Sequence, residues 1–242
     1  MTDHQYDQMS ETPVWRPEGF LSGHPLERYG RYAEALNVYN DIIAHDPYNS
    51  LAYILQGRAL MNLEREEEAS SSFLHALQLA EQAINDQPHN IRAYVYRANA
   101  LWLLKQRKEA LVAYDQAIQV APEDYEAYLD KGWAQLALEQ YDEALLLFQH
   151  AHELRPDDAS IIWRMNIAYW HSGRYAQSLE MLEQAIALDP SQSRFYGDLA
   201  TTLSSLGRYE EATAMQVREE AMEAQELAKA LADYHQMVQE ET

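Results

Sequence analysis

The chain contains no cysteine, which removes disulfides, thiol catalysis and cysteine-based zinc sites from consideration. It is also short of cations: 18 Lys and Arg stand against 39 Asp and Glu, a formal net charge of −21. A nucleic-acid backbone needs a basic surface to neutralise its phosphates, so no nucleic-acid partner is expected, and anionic membrane surfaces are disfavoured for the same reason. Acidity of this degree keeps a surface-rich protein soluble and would steer in a basic partner. Apolar runs stay short, as around Ala144 to Phe148, where a membrane span needs roughly 20 residues. The amino-terminal Met1-Thr-Asp-His-Gln-Tyr-Asp is acidic and polar, with no basic region followed by an apolar core. No secretory signal is read there, and the expected location is the cytoplasm. Alternating β-branched runs are missing too, so nothing reads as a strand and the chain is expected to be all-α.

What is present is a period. Pro88, Pro122, Pro156 and Pro190 recur at a constant interval of 34 residues. A repeat of about 20–50 residues marks a stacked array, and about 34 is the helix–turn–helix spacing. Within each period the same slots return. Tyr94, Tyr128 and Ile162 share one, and Ala98, Gly132 and Asn166 a second. Ala110, Ala144 and Ser178 share a third, Tyr114, Phe148 and Leu182 a fourth, and Ala117, Ala151 and Ala185 a fifth. Antiparallel helices approach closely only where side chains are small, so Ala and Gly belong at the crossings and the aromatics between pairs. Asn90, Asp124 and Asp158 follow the prolines and are placed to accept from the first free N–H groups of the next helix.

These residues resemble the tetratricopeptide repeat family, whose W-x2-L-G-x2-Y … A-x3-F … P pattern is matched most clearly by Tyr128, Gly132, Ala144, Phe148, Ala151 and Pro156. The fold implied is a superhelical solenoid of stacked helix–turn–helix pairs. Asn166 and Ser178 depart from the small-residue slots, and looser packing is expected in that unit.

The remaining segments sort around this array. Residues 1–15 form a polar arm, expected to be disordered, with Trp15 packing on the end of the first repeat. Residues 16–47 are a degenerate first repeat, with Gly30, Tyr32, Ala35, Tyr39 and Pro47 in register. Gly19, Gly23 and Pro25 argue against a full first helix, and regular helix is expected only from near Leu26. Residues 50–90 are a second repeat with Tyr53, Gly57, Ala69 and Phe73 in place, its proline seven residues late. The stripe Phe73, Ala76, Leu77, Ala80, Ala83 and Ile84 predicts one protruding helix from about Glu66 to about Asn85, because seven residues make nearly two whole turns. Residues 91–190 hold three regular repeats. A sixth, residues 193–242, opens with Tyr196, Ala200 and Leu203 and departs at Gln216 and Glu219. It is expected to merge into one capping helix that buries Ala224, Ala228 and Leu231.

Chemistry is hard to find. His150 and His152, two apart on a helix, point to different faces and cannot chelate together, so no metal site is expected. No phosphate loop or nucleophile elbow is present, and acidic runs such as Glu66-Glu67-Glu68 and Asp157-Asp158 suit helix starts. Neither catalytic residues nor a cofactor are expected.

Binding is the better reading. The family resemblance implies that the first helix of each pair lines a concave face through its fifth, ninth and twelfth positions. In this sequence those are occupied by Trp133, Trp163, Trp102 and Trp170, with Leu129, Leu136, Ile167 and Val95 beside them. Ile54 and Met61 share those positions. One branch of the family grips a terminal carboxylate with Lys, Asn and Arg, and only Arg58, Arg92 and Asn99 are comparable here. The expected partner is therefore a protein or peptide offering an apolar or amphipathic segment. Trp133 and Trp163 are expected near each other on that face, with the chain's own Tyr6–Trp15 arm as a competing occupant. Two other readings stand beside this one: a homo-oligomer formed through the terminal helix, and a regulatory subunit of an enzyme.

Overall fold

The computed structural model describes residues 25–28 and 30–240. The described residues form twelve α-helices and no strand, and they fall into two compact units that meet in sequence between Leu154 and Arg155. Residues 17–24, the 1–15 arm and Trp15 lie outside the described residues. Described helix begins with one short turn, α1 (Pro25–Arg28), followed by α2 (Tyr32–His45).

The first unit continues with three helix–turn–helix pairs: α3 (Ser50–Asn62) with α4 (Glu66–Asp86), α5 (Ile91–Leu103) with α6 (Arg107–Val120), and α7 (Tyr125–Ala137) with α8 (Tyr141–Leu154). Each pair packs on the next through α4 against α5 and α6 against α7. The second unit holds α9 (Ala159–His171), α10 (Tyr175–Leu188), α11 (Ser193–Ser205) and α12 (Tyr209–Glu240), with α10 packed on α9, α11 on α10 and α12 on α11.

The repeated slots are the core. Ala110, Ala144 and Ser178 are fully buried, as are Tyr114, Phe148 and Leu182, and Ala117, Ala151 and Ala185. Gly57 and Gly132 sit where a Cβ would come within 2.3 and 2.4 Å of the Phe73 and Phe148 rings, so the glycine makes room for the aromatic of its own pair. Asn166 and Ser178 do not loosen the second unit. The Ser178 hydroxyl donates to Asn166 Oδ1 at 2.5 Å and lies 3.1 Å from the Thr202 hydroxyl, and all three residues are buried. Polar groups that satisfy one another replace the small-residue contact with a hydrogen-bonded one.

Asn49, Asn90, Asp124 and Asp158 cap the first helices, accepting from backbone N–H groups two or three residues ahead, each worth about 1 kcal/mol. The prolines have a second use that periodicity alone does not disclose. The hydroxyls of Tyr94, Tyr128 and Tyr196 donate to the carbonyls of Pro88, Pro122 and Pro190 at 3.0–3.1 Å, tying each first helix to the loop that precedes it.

Every turn within a pair carries one left-handed residue: Glu64, Lys105, Glu139, Gly173 and Gly207, with Gly30 before α2. The next residue's N–H then reaches back to a carbonyl five residues earlier, as from Gln106 to Leu101, which closes the helix end. Glycine adopts that conformation freely, whereas a side chain is strained in it. Lys105→Gly is therefore expected to raise stability by about 0.5–1 kcal/mol, the strain relieved less the entropy glycine adds to the unfolded chain. A rise in urea midpoint at unchanged slope would register it.

α4 has 21 residues where α6, α8 and α10 have 14. Its extra turns keep the buried face, since Ala76 and Ala80 are fully buried and Ala83 and Ile84 half-buried. α12 behaves differently. Ala224 and Ala228 are exposed, against the expectation that they are buried, as are Val217 and Ala221 before them. The Leu231 side chain lies outside the described residues. α11 has only 13 residues, so past its first four turns α12 outruns the helix it packs on.

Candidate functional site

The first helices of the first unit, α3, α5 and α7, carry most of the positions singled out as binding residues. Their surroundings divide them. Val95, Asn99, Trp102, Leu129 and Leu136 are buried, at 7%, 1%, 3%, 5% and 1% exposure. Val95 packs with Ala117 and Ala127, and Trp102 sits in a cluster with Ala98, Leu101, Ala110, Tyr114 and Ala134. The guanidinium of Arg107 covers the Trp102 ring at 4.0 Å. These side chains are interior, because a neighbouring helix covers the stripe they occupy.

Trp133 is the exception in this unit. It is half-buried, packs on the Trp102 cluster from outside and meets the Phe148 ring edge-on at 6.1 Å and 73°. The polar candidates are engaged. Arg58 pairs with Glu27 at 3.0 Å, both side chains largely buried, and Glu27 also accepts from the Tyr39 hydroxyl. Arg92 of α5 pairs with Glu126 of α7 at 2.9 Å on the surface. Asn99 accepts from the Tyr114 hydroxyl at 2.5 Å. Burial, reinforced by the Asp130 charge, pushes Tyr114 well above the usual phenol range, so this hydroxyl stays a donor. His150 lies against the Tyr128 ring at 4.4 Å, as His75 does against Tyr53 at 4.3 Å.

In the second unit Trp163 is 9% exposed, and its Nε1 donates to Asp198 Oδ2 on α11 at 2.6 Å. Arg194 stacks over the indole at 4.5 Å. Asp198 is pushed above the usual carboxylate range by burial, with the Trp163 hydrogen bond and the Arg194 charge opposing. Ile167 and Trp170 are half-buried, the latter edge-on to His171 at 5.0 Å. Trp133 and Trp163 thus belong to different units, each with its own packing. Sequence reasoning passed over Arg194, Asp198 and Gly197. Gly197 was the available signal, since it stands at the fifth position where Ile54, Val95, Leu129 and Trp163 stand in other repeats.

Two models of the tetratricopeptide repeat match the sequence, one over residues 101–165 and 169–215 and the other over residues 51–82. The chain belongs to the tetratricopeptide repeat family. Solved tetratricopeptide structures share its fold at low identity. MamA from Desulfovibrio magneticus RS-1 is 18% identical, with a TM-score of 0.58 over 70% of this chain and 96% of that one. TTC0263 from Thermus thermophilus is 20% identical, with a TM-score of 0.57 over 74% and 93%. YrrB, described as a tetratricopeptide protein with an unusual peptide-binding site, is 19% identical, with a TM-score of 0.50 over 81% and 97%. No curated protein matches the chain by sequence. Tetratricopeptide repeats are in general non-catalytic scaffolds for protein–protein contacts, and this chain carries that scaffold. Among the described residues no helix is long and apolar enough to cross a membrane.

Proposed function

We propose that this tetratricopeptide protein is a non-catalytic cytoplasmic adaptor that holds an apolar or amphipathic segment of a protein partner on the first-helix face of its first unit, around Trp133. The observation that carries this reading is the placement of Trp133, a large indole that stays partly exposed where it packs against the buried Trp102 cluster. Partly exposed aromatics on a preorganised surface are the usual anchors of binding. Arg58 and Arg92 are already ion-paired and Asn99 is buried, which argues against a grip on a terminal carboxylate and for an apolar anchor. The second unit offers Trp170 and Ile167, also half-buried, as a separate and smaller surface.

The test separates affinity from stability. Partners captured from the native source are identified by mass spectrometry, and the affinity of the strongest is measured for the wild type and for Trp133→Ala. A hot-spot loss of at least about 2 kcal/mol is expected, with a smaller fall in melting temperature than Trp163→Ala produces. Unchanged affinity with a large fall in melting temperature would make Trp133 a core residue and remove the reading.

A second reading, self-association along α12, draws on the 60% exposure of Val217 and the exposed alanines that follow it. Light scattering across a concentration series distinguishes it by a rising mass.

A further inference from the structure

The position held by Glu219 is an alanine in the four preceding repeats: Ala76, Ala117, Ala151 and Ala185 are all fully buried. A glutamate fits because α11 has Gly197 opposite. A Cβ built there would lie 2.0 Å from Glu219 Oε1 and 2.5 Å from its Cδ, so the carboxylate occupies the space a side chain would take. The next residue on α11 is Asp198, whose carboxylate accepts from the Trp163 indole. Glu219 makes no ion pair or hydrogen bond among the described residues.

The groups around this contact leave it negative. α9 contributes Trp163, a neutral donor, while Arg164 donates to its own helix at Ser160. α11 contributes Asp198 and Arg194, the latter stacked on Trp163. On α12, Glu220 and Glu223 add to the negative charge, and Arg218 lies over the Tyr196 ring at 4.3 Å.

We propose that the Glu219 carboxylate, lodged over Gly197, makes the α11–α12 contact a pH-responsive joint, which tightens as Glu219 takes a proton and loosens when it is charged. Glu219 is raised from the usual carboxylate range, first by burial and then by the charges of Glu223, Asp198 and Glu220, and Asp198 is raised by burial. The sign follows. Carboxyls with raised folded-state pKa values bind protons more readily folded than unfolded, so stability rises as pH falls through those values. The gain is complete below the unfolded values of about 4 and absent once pH exceeds the folded ones. This is opposite to the usual loss of carboxylate ion pairs in acid.

Hydrogen exchange of the α12 amides over residues 209–223 reads the joint locally, apart from the general effect of acid on so negative a chain. After correction for intrinsic rates, protection in the full chain is expected to increase between about pH 7 and the ordinary glutamate value of about 4.3, by at most about tenfold per pH unit for the proton taken up. Glu219→Gln should show high protection at both values. Gly197→Ala should do the same by pushing the flexible glutamate aside. If Glu219→Gln folds poorly, Glu219→Ala, which restores the residue of the preceding repeats, carries the same expectation. Protection that does not change with pH in the wild type, or a pH dependence undiminished in these variants, overturns the proposal.

Discussion

Phe148→Ala should cost about 3–5 kcal/mol, a large share of the stability of a chain of this kind. Phe148 is fully buried between α7 and α8 and fills the space opened by Gly132, with the Trp133 edge against it. Truncation leaves a hole that neither neighbour can close. Gly132 has no side chain to move in, and Trp133 is held by the Trp102 cluster. The equivalent Gly57–Phe73 pair makes the same contact, so Phe73→Ala should behave alike. Urea unfolding at unchanged slope measures the loss, and a value below about 1 kcal/mol would mean that the site collapses and the ring is not a structural anchor.

Trp163→Ala is the second large effect, again about 3–5 kcal/mol. The indole is buried on Phe195 at 6.3 Å, covered by Arg194, and bonded to Asp198. Its removal opens a cavity and strips a sheltered carboxylate of its donor, a penalty of about 1–3 kcal/mol in itself. Trp163→Phe separates the two terms by keeping most of the volume and losing the hydrogen bond. The comparison also bears on function. Alanine at Trp163 is expected to lower the melting temperature far more than alanine at Trp133. If the two variants melt alike, the distinction between a packed indole and a presented one fails.

Much of the fold could be read from particular residues. Alanine at 110, 117, 144, 151 and 185 announced close helix crossings, and all five are fully buried. Asn90, Asp124 and Asp158 announced helix starts and accept the expected backbone N–H groups. These features are local or strictly periodic, so a single sequence displays them. The candidate site was less legible. Val95, Asn99, Trp102, Leu129, Leu136 and Trp163 lie on the same helix stripe as Trp133 and are buried, whereas Trp133 and, in the second unit, Trp170 and Ile167 keep partial exposure and Met61 is 42% exposed.

The sequence by itself determined the class of fold, the period, the residues at the crossings and the strict seven-residue lengthening of α4, because each follows from the spacing of small, large and capping residues along one chain. Only the tertiary structure decided which side chains on a first helix meet solvent. Helical periodicity puts positions four apart on one stripe, but whether that stripe is open depends on what a neighbouring helix lays over it. Val95 lies beneath Ala117 and Ala127 and Trp102 beneath Arg107, while Trp133 stays partly exposed. The same holds at the end of the second unit. Glu219 reads as a lapse from alanine until Gly197, on the facing helix, is seen to hold open the space it fills.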